Sequence, residues 1–132
     1  MYKIGLRSGA PVSAGHMIAV TGSVSEGQLV CILNDSATAA STSACPDGVV
    51  SQVEDNEVIV MLIDADMILE APVSGTDVNI GNLVPGKLVG FDSNGVDAGA
   101  TSKYCQVVAT NSAKTAGDTI LVRFVNNNAS AT

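Results

Sequence analysis

Gly27-Gln28-Leu29-Val30-Cys31-Ile32 and Gly86-Lys87-Leu88-Val89-Gly90-Phe91 are two versions of one pattern, 59 residues apart. In each, a glycine suited to a tight turn precedes an apolar, β-favouring run. Cys45 and Cys105 lie 60 residues apart, and Val58–Leu62 is echoed by Thr119–Arg123 at an offset of 61. A looser copy, Gly15-His16-Met17-Ile18-Ala19-Val20, precedes the first. Two readings stay open: a duplicated unit, or a glycine-plus-apolar pattern that any β protein contains.

Outward from these stretches the texture is the same. Short apolar runs alternate with Gly, Pro, Asn, Asp and Ser clusters, which reads as strands separated by turns. The expected strands are Met17–Val20, Gln28–Leu33, Val49–Val53, Val58–Asp64, Met67–Ala71, Lys87–Phe91, Lys103–Thr110 and Thr119–Val125. No segment keeps apolar residues at helical spacing for three turns, so the expected class is all-β, a small barrel or sandwich. Asn94-Gly95 predicts a type I′ turn, and Pro46-Asp47-Gly48 and Pro85-Gly86 predict turns that open strands. Thr21-Gly22-Ser23-Val24-Ser25 reads as a Ser-rich hairpin turn. Ser36–Ala44 has only small side chains apart from the threonines and reads as a mobile loop. Residues 1–12 form an expected N-terminal arm, 13–125 the β domain, and 126–132 a flexible polar tail. Within the arm, Tyr2, Ile4 and Leu6 alternate with Lys3, Gly5 and Arg7, which is a strand pattern. That strand has two possible partners, the domain's own sheet or another protein's sheet edge.

The chain has 132 residues, enough for one modest core, and aliphatic residues must build it because aromatics are 3% and Trp is absent. The net charge of −7 argues against a nucleic-acid partner, which calls for a basic footprint, and against an anionic membrane surface. No apolar run reaches the length of a membrane-spanning helix, and the first residues lack the pattern of a signal peptide. Charged residues make up only 14%, the composition of a protein whose surface is largely covered by a partner. An ordinary β domain with a neutral surface fits the same number.

The residues that carry chemistry are sparse. His16 is the single histidine, at the start of an apolar run, and reads as structural. Asp64, Asp66 and Glu70 would share a face if their strand continued, and a small hydrolase built on Asp64, Asp66 or His16 is the enzymatic alternative. Asp92-Ser93-Asn94-Gly95-Val96-Asp97 spaces oxygen donors as a calcium loop does, but lacks the closing glutamate, and Asn-Gly explains it as a turn. Cys31, Cys45 and Cys105 are an odd set without a CxxC pair, read as free thiols made in a reducing compartment. The expectation is a chain with no enzymatic activity, no cofactor and no metal.

Val12–Val20, Val24–Ile32 and the closing Gly117–Val125 together resemble the decoration, or cement, proteins of tailed bacteriophages. The likeness covers most of the chain in texture and rests on no invariant motif. It implies a small β-barrel or β-tulip-like domain with an extended N-terminal arm, assembled as a homotrimer on the outer surface of an icosahedral head. The partner implied is the major capsid protein, whose subunits such proteins clamp against the pressure of packaged DNA, after synthesis in the host cytoplasm. Tyr2, Lys3, Ile4, Leu6 and Arg7 would then form the capsid-binding arm. The alternative is a non-catalytic β binding module of a fibre, adhesin or carbohydrate-binding type.

Overall fold

The structure, a computed structural model, describes residues 2–4, 12–13, 18–20, 22–64, 66–74, 81, 83–110 and 117–125. These residues form strands and turns with no α-helix. The first sheet contains β2 (Val12–Ser13), β3 (Ile18–Val20), β4 (Leu29–Leu33), β5 (Ser36–Ala39), β6 (Gly48–Glu54) and β7 (Glu57–Leu62). It runs β7-β3-β5-β4-β6 and closes on itself because β6 pairs back to β7, giving a five-stranded barrel. Closure removes the exposed sheet edges that invite aggregation. The second sheet contains β1 (Lys3–Ile4), β8 (Leu69–Pro72), β9 (Leu88–Phe91), β10 (Val96–Asp97), β11 (Cys105–Ala109) and β12 (Thr119–Phe124). It curls into a half-barrel, and a parallel bridge between Val73 and Val96 spans the gap.

Strands β3–β7 of the first sheet and β8–β12 of the second follow one plan. Val20 meets Ala37 in parallel as Val73 meets Val96, and Ala37 lies opposite Ile32 as Val96 lies opposite Phe91. Val30 pairs with Gly48 as Val89 pairs with Cys105. Even the irregularity repeats: the β6–β7 ladder shifts register between Val50 and Gln52, and the β11–β12 ladder between Val107 and Ala109. The turn glycines do the same work in both copies. Gly27 at φ +84° donates to the Val50 carbonyl at 2.8 Å, and Gly86 at φ +91° donates to Val107 at 2.7 Å. Of the two readings of the repeat, the structure carries the duplicated unit.

The registers also correct the sequence alignment of the copies. Gly48, not Cys45, is the counterpart of Cys105, and Val58 corresponds to Ile120, an offset of 62 rather than 61. The connections have changed length between copies, which a constant-offset reading cannot follow.

Seven side chains fill the first barrel: Ile18, Val24, Val30, Ala37, Val50, Val58 and Val60. Their seven counterparts, Ala71, Leu83, Val89, Val96, Val107, Ile120 and Val122, are all buried in the second. Small and β-branched residues suit so narrow an interior, and each fully buried Val or Leu contributes about 1.5–3 kcal/mol.

All eight expected strands are present, with ends shifted by a residue or two. Three local readings are overturned. Ser36–Ala39, expected as loop, is β5, because Asn34 and Asp35 at φ +52° and +61° make the two-residue hairpin that folds it back on β4. Asn94-Gly95 is not a type I′ turn; neither residue has positive φ, and Asp92 Oδ1 instead accepts from the N–H groups of Asn94 and Gly95 at 2.7 and 2.9 Å. Gly22–Ser25 does not join a hairpin, since β3 pairs with β5 and β7 rather than with β4. His16, Leu6, Arg7 and the tail 126–132 lie outside the described residues.

Candidate interaction surface

Strand alternation decides which side chains face outward. Leu29 and Val49, next to interior Val30 and Val50, point away from the first barrel's interior and are buried against the second. The junction is bonded as well. Leu29 N–H donates to the Ser93 carbonyl at 3.0 Å, Gln28 Nε2 to Asn94 Oδ1 at 2.8 Å, and Ser41 bridges Asp92. Thus the Leu29–Val49 face is a docking face, used within the chain.

Among the described residues, the counterpart of that face on the second sheet is half-buried and lies beside a groove. Leu88, Gln106 and Arg123 stand where the first barrel has Leu29, Val49 and Met61. A groove of about 400 Å³ lies there, lined by Asp66, Ile68, Gly86, Gln106, Val108 and Arg123 among others. Arg123 Nε donates to Gln106 Oε1 at 2.7 Å, and Gln106 Nε2 donates to the Gly86 carbonyl at 3.1 Å. This relay fixes the guanidinium plane in a half-buried position, where it can form a forked pair with a carboxylate or a carbonyl. The first barrel does without these polar groups, so the barrel plan does not require them. Sequence reading missed the groove because Gln106 and Arg123 are 17 residues apart and belong to no motif. Only the aligned copies, with Val and Met at the same places, single them out.

Near the groove's Gly86, Val84 is an exposed apolar side chain, and Leu33 at the tip of the β4–β5 hairpin is 73% exposed.

Of the expected arm residues, Tyr2 is buried in the chain's own core, 1% exposed, with its N–H donating to the Gly27 carbonyl at 2.9 Å. Lys3 and Ile4 pair antiparallel with Glu70 and Leu69, and Val12 and Ser13 with Leu62 and Met61. The N-terminal segment thus adds an edge strand to each sheet of its own chain.

Of the residues considered for chemistry, Asp64 and Asp92 hold their own turns. Asp64 Oδ1 accepts from Asp66 N–H at 2.9 Å, a turn that ends the strand, so the two carboxylates do not share a strand face. Asp92 is committed to its own turn, and Asn94 to Gln28. Among the described residues no three His, Cys, Asp or Glu side chains converge as metal ligands. Burial pushes the Cys105 thiol far above its ordinary range, which suits a packing residue rather than a nucleophile.

No protein family, no curated protein and no solved structure matches the chain.

Proposed function

We propose that the chain is a non-enzymatic capsid decoration protein that binds the exterior of an icosahedral phage head and strengthens contacts between major capsid protein subunits. The observation that carries this reading is the groove that Gln106 and Arg123 line among the described residues. Its counterpart in the first barrel is packed against the second sheet of the same chain, so the fold already covers this surface with β structure. Substituting Gln and Arg for Val and Met makes the second copy polar, which disfavours head-to-tail stacking of like chains and favours a partner with acceptor groups. The low charge content and the exposed Leu33 and Val84 support the same reading. Assembly as a homotrimer would make attachment multivalent, so modest contacts add up to slow release. In this reading the arm contributes through Lys3 and Arg7, since Tyr2 is engaged in the core.

Co-sedimentation with purified phage heads tests the proposal. The full chain pellets with heads, and Arg123→Glu pellets at least tenfold less while remaining folded. A chain that stays in the supernatant at every concentration overturns it. The groove also favours a second reading, a non-catalytic β binding module of a fibre, adhesin or carbohydrate-binding type. Specific hits on a glycan array that vanish with Arg123→Ala would select that reading instead.

A further inference from the structure

Two of the three thiols share one site. Cys31 on β4 and Cys45, just ahead of β6, are both half-buried and pack against the same apolar cluster at the junction of the barrels. Cys31 Sγ lies 3.8 Å from the Cys45 carbonyl oxygen. The segment carrying Cys45 is held in place on either side of Cys31. Asp47 N–H donates to the Val30 carbonyl at 2.9 Å, and Ile32 N–H donates to Asp47 Oδ2 at 2.6 Å. The third thiol, Cys105, is fully buried in the second core and is no competitor.

We propose that Cys31 and Cys45 are a latent disulfide, formed within the folded chain when it meets a low-molecular-weight disulfide. One cysteine thiolate attacks the small disulfide, releasing one small thiol and leaving a mixed disulfide on the protein. The other thiolate attacks the protein-side sulfur, releasing the second small thiol. Two protein thiols are oxidised, one small disulfide is reduced, and no further oxidant enters. Both thiols are raised by burial and by the Asp47 carboxylate, so closure quickens as the solution is made alkaline. The bond would close the 14-residue span that holds β5 and Ser41, the residue bridging to Asp92 in the second sheet. It therefore staples the first barrel beside its contact with the second.

The test uses the full chain treated with oxidised glutathione at mildly alkaline pH, then unfolded, alkylated and peptide-mapped. The expected result is a fall from three alkylatable thiols to one, a single Cys31–Cys45 linked peptide, and an untouched Cys105. Cys31→Ser and Cys45→Ser should each stop at a glutathione adduct on the remaining partner. The chain oxidised while unfolded should scramble among all three pairings. Stable adducts on both cysteines of the folded wild type, covalent dimers, or a link to Cys105 would overturn the proposal.

Discussion

Tyr2 and Phe124, at opposite ends of the described chain, meet edge-on, with ring centroids 5.8 Å apart and planes at 60°. Phe91 completes the group, 5.0 Å from Phe124 at 75°. Phe91 and Phe124 take the places of Ile32 and Leu62 in the first barrel, so this end of the half-barrel's core is filled by their rings and Tyr2. Truncation of the ring should therefore be costly. Tyr2→Ala should lose about 3–5 kcal/mol in chemical denaturation. Tyr2→Phe, which removes only a long 3.3 Å bond to the Asp92 carbonyl, should lose about 1 kcal/mol or less.

The duplicated interiors make a direct comparison possible. Val30→Ala and Val89→Ala remove the same side chain from equivalent positions in separate clusters. Each should cost about 2 kcal/mol, and the double variant should be additive within about 0.5 kcal/mol. Strong non-additivity would mean that the two interiors do not pack independently.

The Asn34-Asp35 turn sets β5, and with it one wall of the first barrel. Asp35→Val places a β-branched residue at φ +61° and should cost about 1–2 kcal/mol in thermal unfolding. The same substitution at Asp97, an exposed residue outside the positive-φ set, should cost less.

Alkaline pH should unfold the protein in a defined way. Burial raises the Tyr2 hydroxyl, with the Cys105 and Asp92 charges adding to it, and burial alone raises the Cys105 thiol. Both groups stay neutral in the fold but ionise when unfolded. Their stabilisation is complete below the unfolded thiol pKa of about 8.5 and declines as pH rises through that value and then through about 10 for tyrosine. Thermal midpoints should fall across this range, and Tyr2→Phe with Cys105→Ala should flatten the decline. An unchanged slope would contradict the assignment.

The strands were legible in the sequence because apolar β-branched runs between turn residues have few other solutions, as Gln28–Leu33 and Thr119–Val125 show. β5 was not, since Ser36–Ala39 has no apolar signal and owes its strand to backbone at Asn34 and Asp35. The repeat was visible as Gly27–Ile32 against Gly86–Phe91, but its register was not, because loops of unequal length separate the matching strands. The arm's strand pattern was readable, and its choice of partner was not, because a terminal strand pairs with any edge that offers free backbone groups. Arg123 was visible only as the end of the Thr119–Arg123 echo, set there against Leu62; its meaning comes from the Met61 that holds the same place in the first copy.

The most direct test of the central claim is an image reconstruction of purified phage heads saturated with this protein. The account predicts paired barrel density on the outer shell at repeated positions, with the Arg123 face toward the capsid. Occupied heads whose outer surface carries no such density would contradict it.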